Sequence, residues 1–309
     1  MPMKKCNSCG ERIRPDAVFC PLCGSRDLCE AQPSKKPSRF VSLLKAVLCA
    51  VYLLAVQFAV SFVYTVVVTI LAIARMGLEG ELLDAYVLDH YARNSAVISI
   101  ASNVIALVIL VLYFFAKGRK VTSELGMKRF SPILVPICAM LGYALQYVIV
   151  FITDLVPWPV EWLADHSEDT EIIMSGNIVL VIVGVSIITG LIEEIVFRAL
   201  SMGCLGRAFG APVCVVISSL IFGAAHLQPV QSFYATILGL LLGSLYVRFG
   251  SVWPCIITHL SFNLAGIIGL PSNSAILYYA VLAVSIGLTI IFSYVIFNMI
   301  PQAKENKTF

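Results

Sequence analysis

Long apolar runs, separated by short polar segments, occupy most of the chain from about residue 46 onward. A helix that crosses a bilayer needs roughly 20 mostly apolar residues. Eight runs approach or reach that length, at residues 46–74, 95–116, 131–153, 177–200, 211–228, 230–247, 252–270 and 274–299. The pattern therefore predicts an all-α polytopic membrane protein with about eight transmembrane helices, which form a transmembrane helical domain over residues 46–300.

The first forty residues break this pattern, because they are polar and rich in cysteine. Two Cys-x-x-Cys pairs stand ten residues apart, and four thiolates at this spacing can close a tetrahedron around a zinc ion. So short a segment has no apolar core to fold without the ion. We therefore expect a small zinc ribbon over residues 1–30, with one structural Zn²⁺ held by Cys6, Cys9, Cys20 and Cys23. Disulfides or a redox Cys-x-x-Cys are the alternative, which a reducing cytosol disfavours.

A linker is predicted between the ribbon and the first span. Residues 31–45 begin with a stretch rich in Pro, Ser and Lys, which is typical of a segment without regular structure. A closed site of four thiolates keeps no position open for a substrate. The ribbon is therefore expected to be structural or to bind a protein partner, and not to take part in catalysis.

Composition narrows the class of protein. The chain is 59% hydrophobic and only 13% charged, whereas soluble domains carry about a quarter charged residues. Its 21 basic and 18 acidic side chains could not solvate the outside of so apolar a chain, which excludes a soluble enzyme and a disordered chain. No nucleic-acid partner is expected; the expected partners are membrane lipid and a peptide or protein substrate.

Basic residues cluster in segments that would lie on one side of the membrane. They precede the first predicted span, fill the segment between the second and third, and follow the fourth, sixth and eighth. They are Lys35, Lys36, Arg39, Lys45, Lys117, Arg119, Lys120, Lys128, Arg129, Arg207, Arg248, Lys304 and Lys307. Because basic loops stay in the cytosol, we expect a multi-pass protein of a bacterial cell membrane with both termini cytosolic.

Ionisable groups inside a span are costly and indicate function. The fourth predicted span carries adjacent carboxylates, Glu193 and Glu194, followed by Arg198. Glu194 and Arg198 stand at i and i+4 on one helix face and can pair, so a structural ion pair is expected there. Glu193 lies about 100° further round the helix and is left free to face another group.

Two imidazoles and a carboxamide occupy other spans. His226 ends the fifth span, while His259 and Asn263 share one face of the seventh at i and i+4. One interpretation is general-base hydrolysis, in which a carboxylate and an imidazole activate water and N–H groups stabilise an oxyanion. The other is a catalytic zinc held by Glu193, His226 and His259. Both interpretations predict hydrolysis.

The three motifs resemble those of the CPBP family, which groups CAAX proteases and bacteriocin-processing enzymes and was once called the abortive-infection domain. The motifs are Glu193-Glu194-x-x-x-Arg198, Phe222-x-x-x-His226 and His259-x-x-x-Asn263, within a core at about residues 130–270. The resemblance implies an intramembrane endopeptidase of either the metalloprotease or the glutamate-dependent type.

The resemblance also implies roles for individual residues and a range of substrates. Glu193 and His226 would activate water, His259 and Asn263 would bind the oxyanion, and Glu194 and Arg198 would support them. Prenylated C-terminal peptides, precursors of bacteriocins or signalling peptides, and segments of membrane proteins are all substrates of the family.

Two functions from other classes remain open at this point. One is a transporter or proton relay that uses the buried Glu and His residues, although the sequence shows no internal repeat. The other is a non-catalytic membrane scaffold whose zinc ribbon recruits a partner. Cysteine catalysis is not expected, and His90 and His166, in acidic outer segments, read as solvated surface.

The depths of the motif residues pose a problem for straight helices. At 1.5 Å per residue, Glu193 would lie about 24 Å below the outer start of the fourth span, and His226 about 22 Å above the inner start of the fifth. His259 would lie only about 10 Å from the inner start of the seventh. A tilt, a short or re-entrant fifth element, or a water-filled cone opening to the cytosol would reconcile these depths.

Overall fold

The computed structural model describes residues 4–7, 12–13, 19, 25–30, 37–269 and 274–301. The chain divides into two compact units, Met1–Ser38 and Arg39–Phe309. The first corresponds to the predicted zinc-ribbon module with part of its linker. The second is the helical membrane unit.

The described part of the first unit contains a small antiparallel sheet. Its strands are β1 (Lys4–Cys6), β2 (Arg12–Ile13) and β3 (Leu28–Glu30), in the order β2-β1-β3. Cys6, at the end of β1, is fully buried. The side chain of Cys29, which lies outside the predicted ligand pattern, donates to Asn7 Oδ1 at 3.1 Å. The other predicted ligands, Cys9, Cys20 and Cys23, lie outside the described residues, so the zinc ligand set stays a prediction.

The membrane unit is built from helices alone in the part of it that is described. Its helices are α1 (Arg39–Met76), α2 (Gly80–Ala116), α3 (Val121–Glu124), α4 (Leu134–Asp154), α5 (Val160–Met174), α6 (Ile178–Leu205), α7 (Ala211–Ala224), α8 (Pro229–Phe249), α9 (Trp253–Ile268) and α10 (Ala275–Met299). Six described helices, α1, α2, α4, α6, α8 and α10, are long and apolar enough to cross a membrane. The shorter apolar helices α7 and α9 correspond to the fifth and seventh predicted spans. The prediction of an all-α polytopic membrane protein is confirmed.

Two helices begin earlier than their hydropathy indicated. α1 begins at Arg39, so residues 39–45 of the predicted linker are helical, because polar residues are tolerated where a helix leaves the membrane. α2 begins at Gly80 and carries an acidic segment ahead of its apolar run. In that segment His90 is half-buried and its Nδ1 lies 2.7 Å from the Tyr64 hydroxyl of α1, so the expectation of a solvated His90 is wrong.

Close helix contacts depend on glycine. Gly142 of α4 faces the backbone of α9, where an added Cβ would collide with the carbonyl oxygen of Thr258. Gly239 and Gly243 of α8 lie against Ser219 and Val215 of α7, which is the close packing that their spacing predicts. These contacts hold α4 against α9 and α7 against α8.

We expect Gly142→Ala to lower the melting temperature of the purified protein. The added methyl group would force α4 away from α9, and overpacking of this kind costs about 1–3 kcal/mol. Gly287→Ala on α10 is the matched control, because a Cβ there meets nothing within 4 Å. Thermal melts of both variants in detergent would check the difference; equal melting temperatures would contradict the close contact.

α6 departs from regular α-helical geometry on both sides of the adjacent glutamates. Ile182–Thr189 and Ile195–Ser201 are π-helical, and Gly190–Glu194 between them is α-helical. π-helical turns are rare and occur frequently at functional sites. They redirect the side chains that follow them, so the glutamates do not occupy the positions of a straight α-helix.

Candidate active site

A cavity of about 390 Å³ lies inside the membrane unit. Side chains from α2, α4, α5, α6, α7, α8 and α9 line it. All four predicted catalytic residues are among them: Glu193, His226, His259 and Asn263. The fold thus brings the three sequence motifs to one place.

Glu194 lies at the centre of a buried polar cluster beside this cavity. Its side chain and that of Arg198 are 0% exposed, and Arg198 Nε lies 2.9 Å from Glu194 Oε2. The distance between Arg198 Nε and Glu194 Oε2 is that of an ion pair, but the angle is not that of a hydrogen bond. Nη1 and Nη2 of Arg198 have no hydrogen-bond acceptor among the described residues. The guanidinium carbon lies 4.8 Å from the centre of the Phe222 ring, a cation–π contact. The i, i+4 ion pair expected from the sequence is therefore present.

His259 lies between the two glutamates. Its Nδ1 is 2.9 Å from Glu194 Oε1, and its Nε2 is 3.7 Å from Glu193 Oε2. Because Glu194 pairs with Arg198 through Oε2, its Oε1 is taken as the acceptor, and we assign the proton to His259 Nδ1. Glu193 is 12% exposed and lines the cavity, whereas Glu194 is sealed within the protein. The adjacent carboxylates therefore occupy different environments.

His226 is fixed by the turn that ends α7. Its Nδ1 lies 2.9 Å from the backbone oxygen of Phe222, and because a carbonyl only accepts, Nδ1 is the donor. Nε2 is then the free acceptor of the neutral ring. Leu227, the next residue, has a φ of 61°, a strained conformation for a residue other than glycine. The surrounding fold therefore holds the backbone beside His226 in a conformation that Leu227 would not adopt by itself.

Phe222 orients both histidines. Its ring makes edge-on contacts with His226 at 4.9 Å and with His259 at 5.8 Å between ring centroids. Phe222 is itself fully buried and packs against Phe197. The Phe222 ring thus contacts His226 in the turn after α7, His259 of α9 and Arg198 of α6.

Asn263 is held by α6. Its Nδ2 donates to the backbone oxygen of Val185 at 3.1 Å, which lies in the first π-helical segment. A carboxamide nitrogen carries two hydrogens, so this bond leaves one donor for another acceptor. Asn263 therefore has a fixed orientation while it lines the cavity.

Sequence reasoning missed two residues that line the cavity. His166 of α5 is half-buried, and its ring lies 5.9 Å from that of Tyr234, so the expectation of a solvated surface residue is wrong. Burial lowers the pKa of His166, and the nearby Asp169 partly offsets that shift. Gln146 of α4 also lines the cavity, and its buried Oε1 has no hydrogen-bond partner within the described residues.

Signals for these residues existed in the sequence. His166, Thr170 and Ile173 follow a helical spacing along one side of an otherwise acidic segment, and all three line the cavity. Gln146 is a carboxamide inside an apolar span. Asn103 is different, because its Nδ2 donates to Thr189 Oγ1 at 3.0 Å and joins α2 to α6 outside the motif cluster.

The metal interpretation needs three ligands in one place. Among the residues that the structure describes, no group of three or more His, Cys, Asp or Glu side chains is arranged to hold a metal ion. Glu193, His226 and His259 line one cavity but do not form such a group in this arrangement.

α7 and the π-helical segments both differ from the straight spans assumed for the motif depths. α7 has 14 residues, and the turn that follows it brings His226 to the cavity. The π-helical segment ahead of Glu193 advances less per residue than an α-helix, so the calculated depth of Glu193 was too large. The short fifth element that the sequence left open is present.

Known proteins share similarity with both units of the chain. Residues 175–265, which include all three motifs, match the family model described as type II CAAX prenyl endopeptidase Rce1-like. Residues 5–26 match the zinc-ribbon domain. The resemblance inferred from the motifs and the predicted ribbon are therefore confirmed at the level of sequence families.

A curated relative supports the same similarity. The protein named "Putative membrane peptidase YdiL" from Bacillus subtilis (strain 168) is 27% identical over 161 residues. The match covers 52% of this chain and 66% of the length of the relative. No solved structure matches the chain significantly.

Proposed function

We propose that this protein is an intramembrane endopeptidase that hydrolyses peptide bonds of membrane-associated peptides or proteins. The observation that carries the proposal is the arrangement of Glu193 and His259. Their side chains lie 3.7 Å apart at a cavity that His226 and Asn263 also line. The similarity of residues 175–265 to Rce1-like endopeptidases supports the same reaction class.

In the proposed mechanism, Glu193 acts as the general base. It takes a proton from a water molecule whose second hydrogen bonds to the free Nε2 of His226, and the water oxygen attacks the scissile carbonyl carbon. Glu193 then passes this proton to the departing amine as the C–N bond breaks. The products are a new carboxyl terminus and a new amino terminus.

The developing oxyanion needs N–H donors. The first donor is the second Nδ2 hydrogen of Asn263. The second donor is the Nε2–H of His259, which is present when the ring is an imidazolium. Glu194 fixes the orientation of this ring, because its Oε1 accepts the Nδ1 proton at 2.9 Å and its side chain is sealed from solvent. Arg198 and Glu194 act as positioning residues in this proposal.

Comparison of peptides released from membranes would test the function. We expect peptides that depend on the protein to be lost with His226→Ala, because this change removes the acceptor that positions water. His90→Ala is the matched control, since His90 contacts Tyr64 away from the cavity. Peptides from membranes of a host that lacks the protein, supplied with each variant, would be identified by mass spectrometry. An identical peptide set with wild type and His226→Ala would contradict the proposal.

The N-terminal module is proposed to bind one zinc ion through Cys6, Cys9, Cys20 and Cys23. We expect the full chain to hold this zinc ion and to lose it with Cys6→Ser and Cys20→Ser together, because two of four thiolate ligands are removed. Cys29→Ser is the control, since its side chain bonds to Asn7. Elemental analysis of the purified variants would check the zinc content; retention of zinc by the double variant would contradict the ligand set.

A further inference from the structure

The cavity lies toward one end of the helix bundle. We define the α5 face as the end where residues 77–79, 155–177 and 225–228 connect the helices. The opposite face is the end where residues 117–133, 206–210 and 250–252 do so.

Hydrogen bonds join the connections of each face. On the α5 face, Gln228 Nε2 donates to Trp162 O at 3.2 Å, and Ser95 Oγ donates to Ile172 O at 3.1 Å. On the opposite face, Ser251 Oγ donates to Lys128 O at 2.7 Å. The two ends of the bundle are therefore defined by contacts and not only by chain order.

Each helix lines the cavity with the part nearer the α5 face. α4 and α9 contribute residues from their C-terminal portions, which include Gln146 and Asn263. α8 contributes its N-terminal portion, which includes Gln231, and α7 contributes its C-terminal end with His226. α5 itself supplies His166 and Thr170. The cavity therefore extends from the middle of the bundle toward α5.

Tight packing closes the other direction. Beyond Glu193, toward the opposite face, α6 continues with Phe197, Arg198, Met202 and Leu205, which are at most 1% exposed. None of these residues lines the cavity. A peptide could reach Glu193 from the α5 face without displacing these side chains.

The two faces differ in charge. Residues 117–133 on the opposite face carry five basic side chains and one acidic one, and Arg207 lies in the next connection of that face. Residues 155–177 on the α5 face carry five acidic side chains and no Lys or Arg. Basic residues in short loops orient a membrane protein because those loops remain in the cytosol. The opposite face is therefore the cytosolic one.

We propose that the active-site cavity opens to the non-cytosolic side of the membrane. Its substrates are then peptide segments presented on that side, such as an exported peptide or an extracytoplasmic segment of a membrane protein, and not a C terminus in the cytosol. The statement about substrates rests on the proposed peptidase function. The statement about the cavity rests on packing and charge alone.

Reaction of single introduced cysteines with a membrane-impermeant maleimide tests the orientation. Gln231→Cys reports on the interior of the cavity, Thr170→Cys on the exposed part of the cavity lining on α5, and Lys120→Cys on the opposite face. Each variant is treated in intact cells and in inverted membrane vesicles, and modification is measured by mass spectrometry of the peptide that holds the new cysteine. Native cysteines do not interfere, because only that position is quantified.

The expected result is modification of Gln231→Cys and Thr170→Cys in intact cells, with loss of modification in sealed inverted vesicles. Lys120→Cys should show the reverse. Modification of Thr170→Cys from the cytosolic side would overturn the orientation. Modification of Gln231→Cys in detergent but from neither side of the membrane would overturn the open cavity. These outcomes do not depend on hydrolysis, so failure of the peptidase proposal would be recognised separately.

Discussion

Replacement of Glu193 by Gln is expected to reduce peptide-bond hydrolysis on the order of 10²-fold or more, because the proposed general base is lost. The fold should survive the change. Glu193 is 12% exposed to the cavity and lies 3.7 Å from His259 Nε2, and it has no ion pair with Arg198. A carboxamide has nearly the same shape as the carboxylate but cannot take a proton from water.

The measurement for this prediction is the rate of product formation from a membrane substrate identified by the peptide comparison. The same samples would be melted to establish that the variant is folded. Asp84→Asn is the matched control, since it removes one exposed carboxylate on α2 away from the cavity. A Glu193→Gln variant with normal turnover would contradict the assigned base.

Replacement of Glu194 by Gln is expected to act mainly on stability. The change removes the only carboxylate that pairs with Arg198 in the described part of the chain, and both side chains are 0% exposed. Removal of one partner of a buried ion pair typically costs about 3–5 kcal/mol, because the other charge stays buried without compensation. The Gln oxygen can still accept from His259 Nδ1, so the loss should come from Arg198.

A double variant separates this explanation from a general packing defect. In Glu194→Gln with Arg198→Met, the uncompensated charge is gone, so the melting temperature should recover toward that of the wild type. Melting temperatures of the wild type, Glu194→Gln, Arg198→Met and the double variant measure how strongly the two side chains depend on each other for stability. A stable but inactive Glu194→Gln, together with an active Glu193→Gln, would require the two roles to be exchanged.

The sequence predicted the helices and the motif positions because both depend on short spacings. Glu194 and Arg198 pair as an i, i+4 relation requires, and His259 and Asn263 share one face of α9. The eight apolar runs were also visible. The pattern placed the end of the fifth span at residue 228, four residues beyond the end of α7 at Ala224.

Other features of the site depend on tertiary structure and could not be read from the sequence. His166 reads as a surface residue in an acidic segment, and only the position of α5 against Tyr234 places it at the cavity. The contact of His259 with both glutamates depends on how α6 and α9 pack. The π-helical segments of α6 arise in an apolar run whose hydropathy does not distinguish them from an α-helix.

The central claim is that Glu193 activates water to cleave peptide bonds inside the membrane unit. Its most direct test is incubation of membranes that contain the wild type or Glu193→Gln in water enriched in ¹⁸O, followed by mass spectrometry of newly formed C termini. With the wild type, we expect new carboxyl termini that carry ¹⁸O. With Glu193→Gln, we expect these labelled termini to be missing. Equal numbers of such labelled termini in both samples would contradict it.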